Sequence, residues 1–206
     1  MYKRQVIEYV KLIVKRDFKT TLFAQNFLVA TFFSFVLILF IKDVAFKFGR
    51  APLIIGLNFI FFGALMYWAD LKLANGLDLT RVKNWKASII IGLSQSLAVF
   101  PGVSRSGITL TTSRYLGMTR LEASRFSFLL SLPVILGSII FKLPDIIAGN
   151  ATPVSFSLVV IGILSSFFFG LITIHFFLKV ISKVGLKYFS FYRIIIGSVL
   201  IYLSLR

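Results

Sequence analysis

No cysteine occurs in the 206-residue sequence, which excludes disulfide scaffolds, thiolate metal sites and cysteine nucleophiles. Histidine is represented by His175 alone, and seven acidic residues face 23 Lys and Arg. A carboxylate-bound metal or a His/carboxylate pair therefore has few residues to draw on. Charge of either sign is scarce too, at 15% of the chain, where a soluble domain ordinarily carries about 25%.

What fills the space is apolar. Hydrophobic residues make up 58% of the sequence, 24 of them Phe, and the mean hydropathy is +0.92. They come in blocks of about membrane-spanning length, which a water-soluble core does not need. The reading is an all-α, polytopic integral membrane protein forming one domain over 1–206. The net charge of +16 sits between the apolar blocks, without the aromatic interleaving of a nucleic-acid surface. That distribution suits membrane lipids and excludes nucleic acid as the partner. Self-association is left open.

Residues 1–20 are interrupted by charge every few positions, so they read as an interfacial helix or as the tail of a truncated one. Phe27–Ile41 is the first predicted span, and Ala51–Ala69 the second, with Pro52 at its start and Gly56, Gly63 and Ala64 allowing close helix packing. After an aqueous loop containing Asn75-Gly76, Ala87–Phe100 is apolar but too short to cross as a helix. Pro101-Gly102 stops it, and Gly107–Gly117 resumes as a second short helix. Residues 87–117 thus predict a re-entrant, broken helix pair. Irregular backbone at that depth is tolerated where it is buried in protein or lines a wet cavity. Thr119-x-x-Glu122 is a capping box for a helix through Phe126–Phe141, kinked at Pro133 and ending before Lys142 and Pro144. Val154–Leu178 and Phe189–Leu205 complete five spans plus the broken pair. Basic loops at 72–86 and 179–187 mark the cytoplasmic side; Lys42, Lys47 and Arg50 then fall on the opposite side, against the rule.

The loop Pro101-Gly-Val-Ser-Arg-Ser-Gly107 carries the chemistry. An Arg deep in apolar sequence costs roughly 2.5–3.5 kcal/mol unless solvated or paired. Arg105 lies between Ser104 and Ser106, close to Gly107 and Thr109. A guanidinium, hydroxyls and the N-terminus of the helix after Gly107 make a phosphate or carboxylate site. The plainer alternative is that Arg105 snorkels to an interface from an ordinary loop.

The segment from Gly92 through Gln95, Pro101, Ser104-Arg105-Ser106-Gly107 and Thr109, followed by Glu122-Ala-Ser-Arg-Phe-Ser-Phe-Leu-Leu-Ser-Leu-Pro133, resembles the bacitracin-resistance family of undecaprenyl-diphosphate phosphatases. The resemblance extends from about residue 20 to 206. It implies a multi-pass protein of the bacterial cytoplasmic membrane with an inverted internal repeat. The implied reaction is hydrolysis of undecaprenyl diphosphate to the monophosphate carrier lipid that is reused in peptidoglycan synthesis. It further implies catalytic roles for Ser104 and Arg105, phosphate binding by Ser104, Arg105, Ser106, Gly107 and Thr109, and a divalent cation, Mg or Ca.

The family's Glu/Gln-x-x-x-Glu box and the Pro-x-Ser-Ser-x-x-His element that follows it have no counterpart in this sequence. Gln95-x-x-x-Val99 is a degenerate echo that makes Gln95 a candidate supporting residue. The acids Glu8, Asp17, Asp43, Asp70, Asp78, Glu122 and Asp145 include no pair at i+3 or i+4, and none lies in the loop. No metal ligands are identifiable, and His175, inside an apolar span, reads as structural. The expectation is a chain truncated at its N-terminus that holds the phosphate clamp without the acid/base half. A transporter or flippase that binds an anionic head group without cleaving it is the alternative.

Overall fold

The computed structural model describes residues 18–72, 76–79, 82–147 and 155–206. Most of the expected interfacial segment 1–20 lies outside the described residues. Seven α-helices and one short 3-10 turn occur among the described residues, with no strand. Helix α1 is Phe18–Phe48, α2 Pro52–Leu71, α3 Trp85–Ser96, α4 Arg105–Tyr115, α5 Arg120–Ile147, α6 Phe156–Val184 and α7 Lys187–Ser204.

Four of them contain stretches long and apolar enough to cross a membrane: Leu22–Phe48, Pro52–Leu71, Arg120–Pro144 and Ser157–Ile181. The predicted fifth span, α7, has 18 residues, about 27 Å at 1.5 Å per residue, and its apolarity is lowered by a buried Arg193. It packs along α2 nonetheless. A Cβ on Gly197 would stand 2.7 Å from the Gly56 carbonyl oxygen, and one on Gly63 would stand 3.1 Å from Arg193 Cβ. Backbone contact through glycine is how helices associate where lipid removes the hydrophobic drive, as expected for Gly56 and Gly63.

The first span is longer than the Phe27–Ile41 block because Lys42, Asp43 and Lys47 continue the helix to Phe48. Helix α5 also outruns its predicted end: Lys142 and Pro144 lie inside it. Pro144 loses one backbone bond, yet tolerance of Pro in membrane helices is general. The capping box is present: Thr119 N–H and Oγ1 donate to Glu122 Oε2 at 3.3 and 2.7 Å, and Glu122 N–H returns to Thr119 Oγ1 at 3.2 Å.

The re-entrant pair α3–α4 packs among α1, α2 and α5. Asn26, Ala30 and Ser34 recur every fourth residue on α1, giving one stripe of small and polar groups, all fully buried. Asn26 donates to the carbonyls of Leu79 and Val82, both at 2.8 Å, and accepts from Asn84 N–H and Ser88 Oγ. Gly92 lies directly on the Ala30 backbone, and Gln95 Nε2 reaches Ser34 Oγ at 3.0 Å. Asn84 caps α3 through Ala87 N–H, so the helix starts at Trp85, two residues ahead of the apolar block.

Both ends of the pair lie at the end of the molecule where α2 finishes. There Asp70 receives Arg120 Nε and Nη2 at 2.7 and 3.0 Å and the Leu186 N–H at 2.9 Å. Arg114 lies 3.5 Å from the same carboxylate and donates to the carbonyls of Met118 and Lys72. Arg114 at the end of α4, Arg120 at the start of α5 and the α6–α7 turn are thus locked to one acid, a role that spacing alone did not reveal. The protein is a multi-pass membrane protein with a hairpin inserted from one end.

Candidate phosphate-binding site

The tip of the hairpin, residues 100–104, reaches toward the opposite end of the bundle. A Cβ on Gly49, in the α1–α2 turn, would stand 3.2 Å from Pro101 Cδ. Asn58 Nδ2 donates to the Pro101 carbonyl at 2.9 Å, and Arg193 Nη2 donates to the carbonyls of Gly102 and Val103 at 2.8 and 3.0 Å. Val103 N–H bonds Phe100 O at 3.3 Å. These bonds satisfy the backbone of a loop that no helix ladder serves. Gly102 has φ +90, and a Cβ there would approach the Ile55 carbonyl oxygen to 2.6 Å, so glycine is required on both counts.

Ser104 is the N-cap of α4, which begins at Arg105, two residues earlier than the Gly107 start predicted from sequence. Its side chain accepts from Gly107 N–H at 3.3 Å. With φ +69 and ψ 113 it is the one non-glycine at positive φ among the described residues, a conformation costing about 1–3 kcal/mol. The strain turns the chain sharply and leaves the N–H groups of Arg105 and Ser106 at the open end of α4.

The loop's polar groups divide between two cavities. One, of about 340 Å³, is lined by Ser104, Ser106 and Gly107 together with Ser127, Phe128, Phe177, Tyr192 and Arg193, among others. Ser127 is buried and its Oγ lacks a partner in the protein, as does Arg193 Nε. The second, of about 320 Å³, is lined by Arg105, Gln95, Lys42 and Lys142 with apolar walls from α1 and α5. The serines and Arg105, expected to converge, stand on either side of the first turn of α4, because successive helical residues point about 100° apart. Thr109 faces neither: it is fully buried, and its Oγ1 donates to the carbonyls of Arg105 and Ser106 at 3.1 and 3.2 Å. Gln95 Nε2 donates to Ser34 Oγ and to Leu130 O at 3.3 Å, in the turn of α5 before Pro133, while its buried Oε1 lacks a partner in the protein.

Neither cavity is lined by a carboxylate. Asp70 and Glu122 are committed to the contacts described above, and no group of three or more His, Asp or Glu gathers among the described residues. These residues do not by themselves fit a divalent cation. His175 lies on the exposed face of α6 with its ring edge-on to Phe176 and lines neither cavity. Arg193 was missed in the sequence because an Arg in the middle of an apolar block looks like any interfacial charge until its partners are seen.

Over residues 1–199 the chain matches the family described as bacitracin resistance protein BacA. It is 41% identical over 155 residues to an undecaprenyl-diphosphatase of Pelotomaculum thermopropionicum, a match covering 75% of this chain and 57% of that protein. The chain thus spans about 57% of the length of the curated relative it matches.

Proposed function

The chain belongs to the bacitracin resistance protein BacA family, and on that premise we propose that it serves the hydrolysis of undecaprenyl diphosphate in the bacterial cytoplasmic membrane. Water attacks the terminal phosphorus and the P–O–P bond breaks, giving inorganic phosphate and undecaprenyl phosphate, the carrier lipid reused for the cell wall. Resistance to bacitracin follows from the same reaction in this reading.

The observation that carries the proposal is the strained, glycine-flanked turn at Ser104, which opens a helix N-terminus beside Arg105 inside the bundle. Backbone N–H groups and the Ser104 and Ser106 hydroxyls suit phosphate oxygens on one side of the turn; the guanidinium suits them on the other. A diphosphate bridging that turn would meet both sets. Charge that builds on the leaving oxygens is what fixed donors and an Arg stabilise. The acid/base groups, and the oxygen ligands for any Mg or Ca, would be supplied by residues other than those described. With the basic loop at 72–86 cytoplasmic, the hairpin tip faces the outer side.

Binding without cleavage, as in a flippase, is favoured by one observation: neither cavity presents a carboxylate. One assay separates the readings. The protein is reconstituted, alone and joined to the remaining portion of a longer relative, and phosphate release from undecaprenyl diphosphate is followed. Release in the joined form that Arg105→Ala abolishes and His175→Ala leaves intact supports the phosphatase. Saturable binding with no release from either form overturns it in favour of the flippase.

A further inference from the structure

Lys42 and Lys142 break the expected bias of positive charge, since both stand at the end of the bundle opposite the basic loops. They come from different helices, α1 and α5, yet line one cavity together with Arg105. Lys42 Nζ sits 4.8 Å from the centroid of the Phe141 ring, which ties the two helices across the rim. No carboxylate lines this space of about 320 Å³. Neither Lys42, Lys142 nor Arg105 has an ion-pair partner among the described residues. Three like charges line one cavity that holds no carboxylate. An anion carrying more than one charge supplies the missing countercharge.

The walls between the cations are apolar. Phe35, Leu39, Phe46 and Phe141 line the sides, and Leu39, Phe46 and Phe141 are themselves exposed toward the surrounding lipid. A free inorganic anion has no use for such walls, whereas the first carbons of a lipid chain do. Resting on the function proposed above, we propose that Lys42 and Lys142 form a lateral head-group portal. They draw the diphosphate of a polyprenyl lipid between α1 and α5 toward Arg105, while the hydrocarbon stays between the two helices. Both lysines are binding residues that touch the phosphoryl oxygens on the way in, and they take no part in bond breaking.

The test is equilibrium binding by the chain in zwitterionic nanodiscs, with labelled undecaprenyl diphosphate as one probe and inorganic pyrophosphate as the other. Lys42→Gln and Lys142→Gln are each expected to raise the lipid Kd about fivefold, the size of one interfacial Lys contact to an anionic head group. The double Gln variant should show about a 25-fold rise, and the double Arg variant should stay within about twofold of the unchanged chain. Melting temperatures measured alongside identify any variant whose loss reflects unfolding, and for such a variant the single substitutions decide. Unaltered lipid affinity in the double Gln variant overturns the portal and leaves the phosphatase reading standing. An equal loss in the double Arg variant also overturns it, because packing and not charge would then be responsible. Pyrophosphate binding as tightly as the lipid overturns the lateral lipid route. If the unchanged chain shows no saturable lipid binding, the proposed function falls and the portal with it.

Discussion

Arg193 of α7 donates to the carbonyl oxygen of Gly102 at 2.8 Å, across 91 positions of sequence. The same nitrogen bonds Val103 O, so a single buried guanidinium holds the turn that presents Ser104 and Arg105. An irregular turn packed among helices needs a donor for these two carbonyls. An Arg can serve it while remaining charged, since its positive charge faces carbonyl dipoles and the Phe59 ring at 5.2 Å.

Arg193→Gln should therefore loosen the turn and also remove the unpartnered Nε–H beside the serine cavity. Hydrogen bonds to charged groups are worth about 1.5–3 kcal/mol, so lipid diphosphate affinity is expected to fall by more than about tenfold. Titration of the labelled lipid measures it. Affinity within about twofold of the original would show that the turn holds its shape through Asn58 and Ser104 alone.

Ser104 allows backbone and hydroxyl to be separated. Ser104→Gly keeps a residue at ease with φ +69 but removes the cap on Gly107 N–H, whereas Ser104→Ala removes the cap and keeps the strain. The Gly variant is expected to melt higher than the Ala variant by an amount worth about 1 kcal/mol, with binding weakened in both. Equal melting temperatures would mean that the strain is relieved in solution.

Asp70 joins Arg120, Arg114 and the Leu186 N–H. Asp70→Asn leaves a buried Arg114 facing a neutral amide, and breaking such a pair typically costs 3–5 kcal/mol. Because Arg120 is about one-third exposed, the lower end, about 3 kcal/mol, is expected. Chemical denaturation in detergent checks the value. Gly185→Ala should be damaging for the same reason: a Cβ there would stand 2.7 Å from Asp70 Oδ2 and 2.9 Å from Arg120 Cζ, at a φ of +79.

Asn26 bonds four groups of the segment from Leu79 to Ser88. Asn26→Leu removes all four bonds at once, and the connection leading into α3 is then expected to open locally before the bundle unfolds. Limited trypsin digestion should cut after Lys83 sooner in the variant than in the parent. An unchanged cleavage rate would place the anchor of this segment elsewhere.

The spans, the broken pair and the polar interruption at 101–107 were legible from sequence for one reason. Membrane insertion is governed by runs of apolar residues, and Pro, Gly and Arg interrupt such runs conspicuously. Boundaries were less legible, because Lys42, Lys142 and Pro144 look like terminators although a helix near the end of a bilayer can carry them onward. The capping box at Thr119 and Glu122 was readable because its partners are three residues apart.

Only the tertiary structure decided what each charge faces. Sequence grouped Ser104, Arg105, Ser106 and Thr109 as one cluster; the first turn of α4 sends the serines to one cavity, Arg105 to another, and folds Thr109 back on its own helix. Asp70 and Arg193 are single charges whose partners lie 44 to 116 positions away, and Lys42 and Lys142 line one cavity from different helices. No local pattern encodes such a separation. The sequence determined that an arginine and two hydroxyls would sit in a turn between two short helices of a membrane protein; the first turn of α4 and the packing of the hairpin decided which side each would face.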